Sequence, residues 1–573
     1  MQTDLKLFLP TTKKELALRG WDEVDIILFS ADAYVDHPSF GAAIIGRVLE
    51  AEGYRVAIVP QPDWHGDFRD FRKLGTPRLF FGICPGCMDS MVNKYTTNKR
   101  LRSEDAYSPN GAHDKRPEYP TIVYTQILKR LFPQTPVVIG GIEASMRRLT
   151  HYDYWQDRLL PSILISSQAD LLIYGMGEKP ILAVAEAVAT GSPLDGIPQT
   201  VRLSDIADKA PDTITLFSHE ECLRSKRCQA ANIKVIEEES NTLHARRMQQ
   251  QTDGRFVIVE PPFPPMTTEE LDAVYDLPFT RLPHPKYDGK RIPAYEMIRH
   301  SVTMHRGCFG GCAFCTISAH QGKFVVCRSK ESILHEVERI THMPDFKGYV
   351  SDLGGPSANM YGMKGRDESL CEKCRRPSCA HPQICKNLDT DHSRLIDVYR
   401  TASEVEGVKK CFVGSGVRYD LVLADGKSGL AYARRLIKHH VSGRLKVAPE
   451  HTSDHVLQLM RKPSFELFRE FNALFTQICK EAHLPQQLIP YFISSHPGCR
   501  ESDMRDLSRI MTQMRFRLEQ VQDFTPTPMT IATEMWYTGI NPYTMEPVFS
   551  ARDKEEKLKQ KSYFFKRRPK KKI

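Results

Sequence analysis

Met304-His305-Arg306-Gly307-Cys308-Phe309-Gly310-Gly311-Cys312-Ala313-Phe314-Cys315 is the stretch that decides how this chain is read. Three thiols in C-x3-C-x2-C spacing sit in one compact loop. Their thiolates can hold three corners of a four-iron, four-sulfur cube, because thiolates are soft, strongly donating ligands for iron. Such a cube normally takes four cysteines, so three leave one iron open to another molecule. The glycines at 307, 310 and 311 let the backbone wrap closely around a bulky cluster.

Outward from this loop, the chain alternates apolar strand runs with amphipathic helices. Strands are expected near 299–304, 347–352, 410–413, 444–447, 488–493 and 521–524, with helices in most gaps. Six such β/α units predict a partial (β/α)6 barrel, whose chemistry belongs on the loops after the strands. The three-cysteine loop follows the first of these strands. The core is expected to span 291–545.

Residues 1–200 show a separate alternation, with an apolar run at 24–29 followed by a helix that turns Ile44, Ile45, Val48 and Leu49 inward. This predicts a doubly wound parallel sheet. Gly140-Gly141 and Gly175-Met176-Gly177 fall at strand ends, where ligands bind in such folds. Residues 201–290, with Asp253-Gly254-Arg255 and Glu260-Pro261-Pro262-Phe263-Pro264-Pro265, read as an irregular connecting region.

At 573 residues, with 41% hydrophobic and 26% charged content, the chain has material for two or three domains. No apolar run approaches the roughly 20 residues of a membrane span. The first residues lack the layout of a secretory signal, so a cytoplasmic protein is expected. Of the net charge of +9, six positive charges lie in Lys566-Arg567-Arg568-Pro569-Lys570-Lys571-Lys572. Residues 546–573 are therefore read as a basic, solubilising and disordered tail.

The fifteen cysteines bunch, and without an export signal bunching favours metal binding over disulfides. Cys371-x2-Cys374-x4-Cys379-x5-Cys385 forms a second metal signal within an insert at 366–390. Few apolar residues surround it, so a metal would supply most of its folding energy. Zinc and an auxiliary iron–sulfur cluster both fit four thiolates, and a short knuckle can close around zinc. For the first loop, a zinc site would need a fourth ligand such as His305 or Cys327. Cys84-Pro85-Gly86-Cys87 has redox spacing, but the rest of a thioredoxin domain is not evident, so these read as incidental cysteines on a strand-end loop. His320, five residues past Cys315, is expected near the cluster loop, and His451 and His496 follow barrel strands; each reads as a hydrogen-bonded structural residue.

With Phe314 before the last cysteine, and β/α alternation on both sides, the loop resembles that of the radical S-adenosylmethionine (SAM) superfamily. The likeness narrows on Asp89-Ser90-Met91-Val92-Asn93-Lys94-Tyr95-Thr96, Gly140-Gly141-Ile142-Glu143-Ala144-Ser145, His320-Gln321-Gly322 and Tyr537-Thr538-Gly539-Ile540-Asn541-Pro542. Together with the cysteine loop, these blocks resemble the YgiQ-type family, which has no settled substrate.

The resemblance implies an enzyme in which SAM chelates the open iron and is reductively cleaved to methionine and a 5'-deoxyadenosyl radical. It implies that Gly354-Gly355-Pro356 meets the SAM amino group, and that Ser415, Arg418 and Glu450 reach the ribose or carboxylate. It also implies a low-potential electron donor such as flavodoxin or ferredoxin. The first domain is similar in pattern to cobalamin-binding domains, but their D-x-H-x-x-G reads here Asp36-His37-Pro38-Ser39-Phe40-Gly41. Proline fills the histidine slot, so cobalamin bound through histidine is not expected. Two other readings remain: a metal-stabilised nucleic-acid-binding protein with zinc knuckles, and a radical SAM enzyme acting on RNA.

Overall fold

A computed structural model describes residues 4–516, 518 and 521–564. The chain forms two compact units, one made of residues up to Cys228, Leu243–Arg299 and Ala319–Gln321, the other of Gln229–Thr242, His300–Ser318 and residues from Gly322 onward.

The first unit is built on nine strands: β1 (Ile26–Ser30), β2 (Val56–Pro60), β3 (Phe80–Cys84), β4 (Val137–Ile139), β5 (Leu171–Ile173), β6 (Thr200–Ser204), β7 (Ile214–Leu216), β8 (Met248–Thr252) and β9 (Arg255–Val259). Their order is β2-β1-β3-β4-β5-β6-β9-β8-β7, and the first five run parallel. β1 and β2 are buried along their whole length, as strands covered on both faces must be. Helix α1 (Gly41–Ala51) turns Ile44, Val48 and Leu49 into the core; α2 (Pro120–Leu131) and α3 (Glu178–Thr190) continue the winding. Each fully buried Leu, Ile or Phe contributes roughly 1.5–3 kcal/mol. The Pro10 carbonyl accepts from the Ile58 amide on edge strand β2 at 2.9 Å.

Residues 201–290 are not an irregular connector. β6 and β9 add antiparallel strands to the sheet, β9 turns back into β8 at Asp253-Gly254, and β7 closes the far edge parallel to β8. Met248-Gln249-Gln250-Gln251-Thr252 hides this because its strand carries glutamines. Gln249 and Gln250 are buried and satisfied by Thr215, Asp208 and Phe217.

The second unit carries the expected strand series. β10 (Ser301–Thr303) pairs in parallel with β14 (Asp352–Gly354), and β13 (Tyr349–Val350) with β15 (Lys410–Cys411). β16 (Arg444–Glu450), β17 (Gln487–Ser494) and β18 (Val521–Asp523) form a parallel trio. A short antiparallel pair, β11 (His305–Arg306) and β12 (Val326–Cys327), brackets the cysteine loop. Helices α4 (Lys226–Ser240), α5 (Lys330–Thr341), α6 (Ser393–Glu404) and α7 (Phe465–Glu481) belong to the same alternation; α7 buries Phe468, Phe471, Phe475 and Ile478 at helical spacing. Residues 546–564 are not wholly a tail, since α9 (Lys554–Ser562) follows α8 (Ile531–Thr538) and buries Lys557 and Gln560. Gln560 accepts from the Ser495 amide at 2.8 Å and donates to the Cys499 carbonyl at 3.0 Å. The basic run at 566–572 lies outside the described residues. Among the described residues, no helix is long and apolar enough to cross a membrane.

Candidate functional site

The 307–315 loop is fixed by contacts that leave no room for side chains at its glycines. Gly307 has φ +81°, and a Cβ there would collide with the Phe324 carbonyl. Gly311, at φ +59°, lies against the Pro377 carbonyl, and a Cβ on Gly310 would stand 2.7 Å from Arg418 Nη1 and 3.4 Å from Cys308 Sγ. The Cys308 amide donates to the Gly322 carbonyl at 3.1 Å, and Ala313 is clamped on both sides. Its amide donates to Met460 at 3.0 Å, and its carbonyl accepts from Ala532 of α8 at 2.9 Å. The path brings Cys308, Cys312 and Cys315 into electrostatic reach of one another. Burial pushes the Cys315 thiol up to about 12, with the Cys312 and Cys308 charges adding to the rise. Burial, then Cys312, also raises Cys308, while Arg418 and Lys462 draw it back down. Burial thus disfavours the ionised form of Cys308 and Cys315 unless a cationic centre offsets it, as an iron–sulfur cluster would.

The residues expected around SAM gather on the same unit. Phe314 packs edge-on to His496 with ring centroids 5.9 Å apart. Gly354 ends β14, where a Cβ would meet Asp352 and Ser415; at Gly355 a Cβ would strike the His305 ring. His305 is fully buried, neither ring nitrogen has a hydrogen-bond partner, and burial holds its pKa down to about 4. The Ser415 hydroxyl is engaged: it donates to Asp352 Oδ2 at 2.5 Å, while Oδ1 accepts the Gly414 and Ser415 amides at 2.8 and 3.2 Å. Arg418 is nearly buried, forked onto Asp420 with Nε–Oδ1 at 3.0 Å, and its backbone is clasped by Asn359, which accepts its N–H at 2.8 Å and donates to its carbonyl at 3.0 Å. Glu450 sits at the end of β16 in left-handed backbone, φ +67°, with Lys462 Nζ 3.8 Å away; burial raises its carboxyl.

The four-cysteine insert packs directly on this loop. The Cys379 amide donates to the Phe309 carbonyl at 2.9 Å, and Ser378 Oγ donates to the Gly310 carbonyl at 2.8 Å. Cys379 and Cys385 lie with Cys308 against an apolar cluster of Phe309, Met360, Met363, Leu388 and Leu421. Asn387 Nδ2 is 3.4 Å from Cys371 Sγ, and buried Lys323 is 3.9 Å from Cys374 Sγ. Among the described residues, no three His, Cys, Asp or Glu side chains converge on one point as ligands of a single ion would. Ligands of a four-iron cube bind different irons and need not converge. Cys327 accepts the Gly362 amide at 3.1 Å, so its sulfur is already engaged.

In the first unit, a cavity of about 140 Å³ opens at the carboxyl ends of β1, β3, β4 and β5, where the strand order reverses on either side of β1. Gly140, Gly141, Gly175 and Gly177 line it as expected, with Cys84 and His320. Burial pushes the Cys84 thiol up to about 12, the opposite of an activated redox cysteine. The Cys87 amide donates to Asp32 at 2.8 Å, and Asp32 pairs with buried Arg116 at 2.5 Å. Asp36 pairs with Arg47 at 2.5 Å, and His37 Nδ1 accepts the Ser39 amide at 3.0 Å. A ligating histidine two residues after Asp36 is thus absent from the sequence itself.

A family model described as "Radical SAM N-terminal" matches residues 8–301. A second, "Domain of unknown function (DUF3362)", matches 519–571. A UPF0313 protein of Bacteroides thetaiotaomicron is 63% identical over 97% of this chain and 94% of its own length. The UPF0313 protein YgiQ of Escherichia coli K12 is 42% identical over 96% of this chain and 83% of its own length. The chain belongs to the YgiQ-type family of radical SAM proteins. Among solved structures, the radical SAM methyltransferase TsrM of Kitasatospora setae aligns with 88% of this YgiQ-type chain and 75% of its own, at 14% identity and a TM-score of 0.48. The cobalamin-dependent SAM radical enzyme OxsB aligns with 91% of this chain and 56% of its own, at 10% identity and a TM-score of 0.48. Both have been solved with a cobalamin form bound.

Several residues of this YgiQ-type site escaped the sequence reading. Asp352 holds the turn that Ser415 was expected to use, and its place at the end of an expected strand was the available signal. Asn359 and Lys323 act through tertiary contacts that no local spacing announces, whereas Asp420 stands only two residues from Arg418.

Proposed function

We propose that this protein is a radical SAM enzyme that reductively cleaves S-adenosylmethionine at a four-iron, four-sulfur cluster held by Cys308, Cys312 and Cys315. The parallel strands of the second unit, with β13 and β14 counted as one interrupted strand, and their helices are read as the partial barrel that carries it. The observation that supports this most is the glycine-forced loop, which crowds three thiols beside Arg418. When bound there, the cluster supplies the electron that splits SAM into methionine and a 5'-deoxyadenosyl radical.

The chain's own residues position and shield. Gly354 and Gly355 offer bare backbone to the SAM amino group. Arg418, fixed by Asp420 and Asn359, sets a guanidinium beside Cys308 and Cys312, where it offsets thiolate charge and reaches toward a carboxylate. Asp352, oriented by Gly414 and Ser415, keeps acceptor capacity for ribose hydroxyls. Phe314 and His496 close an apolar wall behind Cys315.

The test is anaerobic reconstitution with iron and sulfide, then reduction in the presence of SAM. Release of 5'-deoxyadenosine and methionine, abolished in Cys312→Ala, is the expected result. A reduced, fully loaded protein that never releases either product sinks the reading.

A further inference from the structure

We propose that Cys371, Cys374, Cys379 and Cys385 hold a second, fully cysteine-ligated iron–sulfur cluster that exchanges electrons with the centre at Cys308, Cys312 and Cys315. This rests on the iron–sulfur reading of the first centre.

The buried contact at Cys374 is the first argument. Lys323 is only 3% exposed, its Nζ donates to the Arg376 carbonyl at 2.7 Å, and it lies 3.9 Å from Cys374 Sγ. Its amino group is thereby held as a donor facing a ligating sulfur, the kind of contact that accompanies metal-bound cysteine.

The second argument is continuity. Phe309 directly follows Cys308, and its carbonyl accepts the Cys379 amide at 2.9 Å. A ligand of one group is therefore joined to a ligand of the other through one residue and one hydrogen bond. Cys308, Cys379 and Cys385 share the apolar wall of Phe309, Met360, Met363 and Leu388. Such a wall keeps water from the sulfurs, while the Asn387 amide at 3.4 Å from Cys371 Sγ is the kind of contact that tunes a cluster's potential. A redox-silent zinc ion would make no use of this connection, whereas a cluster that takes and gives single electrons would.

Four cysteine ligands leave no open iron, so this cluster does not take SAM. One electron from a low-potential one-electron donor of the flavodoxin or ferredoxin class reduces it. That electron then passes to the first centre, which is reduced as the second is reoxidised. No bond forms and no proton moves.

The experiment is anaerobic reconstitution of the wild-type chain and of C308A/C312A/C315A, with iron, sulfide and zinc counted and Mössbauer spectra recorded. The wild type is expected to hold about eight irons and the triple variant about four, with matching sulfide. Wild type that saturates at about four irons, or a colourless triple variant holding one zinc, overturns the proposal. The wild-type count decides if the variant does not fold. Electron exchange is read from the EPR of the reduced wild type, where the two signals should be broadened by mutual interaction that C374A/C379A removes. A simple sum of two isolated signals overturns the relay. SAM cleavage is scored separately: two loaded clusters without cleavage would refute the proposed activity and leave this inference standing.

Discussion

The two cysteine groups of the second unit are built on opposite plans. The loop at 307–315 is set by backbone: glycines that admit no Cβ, and amides and carbonyls tied to Gly322, Met460 and Ala532. The group at 371–385 rests on one five-residue helix, Glu368–Glu372, a few turns and Lys323. Between its first two cysteines, Glu372 and Lys373 are exposed. On the proposed reading, the first loop is shaped by its own backbone, whereas the second would take its shape with its metal. A polypeptide can thus carry two sulfur sites side by side whose stabilities depend on different things.

The largest effect expected to break this contrast is Gly307→Ala. A side chain at φ +81° in collision with the Phe324 carbonyl combines backbone strain and overpacking, each about 1–3 kcal/mol. Iron bound at the first centre should fall at least about tenfold, while iron or zinc at the second stays. Equal loss at both would erase the distinction.

Metal removal probes the other side. Chelation should open the insert to trypsin at Lys373, Arg375, Arg376 and Lys386, while amides at 308–315 keep their slow hydrogen exchange. Simultaneous loss of protection in both would mean the first loop is not preformed.

A smaller effect is expected where the SAM turn meets the first loop. Asp352→Asn replaces one of the two carboxylate oxygens that together accept three hydrogen bonds and should weaken SAM binding about tenfold, whereas Ser415→Ala should cost only about threefold. Calorimetric titration of the reconstituted protein ranks them, and a larger effect of Ser415→Ala would return the ribose contact to the serine.

The mildest test concerns the helix behind Ala313. Glu534 on α8 is fully buried, hydrogen-bonded to Gln229 at 3.1 Å, and burial pushes its carboxyl from 4.5 up to about 8. The unfolded chain releases this proton near 4.5 while the folded chain keeps it, so stability declines as pH rises from 4.5 toward 8. Glu534→Gln should remove that decline and stabilise the protein at pH 7 by up to about 3 kcal/mol. Denaturant titrations at pH 5 and pH 7 measure it; an unchanged slope with pH would show that the carboxyl ionises in place.

Much of this was legible beforehand. The strands of both alternations and the two cysteine groups follow from periodicity and spacing, because each is a local pattern. The failures share a cause. The β8 strand carries Gln249 and Gln250 inward, and α9 buries Lys557 and Gln560, so each disguises a packed element as polar chain. The Ser415 hydroxyl looked available because its partner, Asp352, lies sixty-three residues away. Burial of polar groups depends on distant partners, and sequence windows do not contain them.

The Pro10 carbonyl that caps the Ile58 amide has a consequence for the molecule's life in crowded solution. β2 is apolar throughout and stands at the rim of a nine-stranded sheet, a natural template for recruiting another chain. The segment laid along it occupies that rim from within the same polypeptide. Loosening it, by a change at Pro10 or Leu9, would open that rim as a seed for strand-to-strand aggregation.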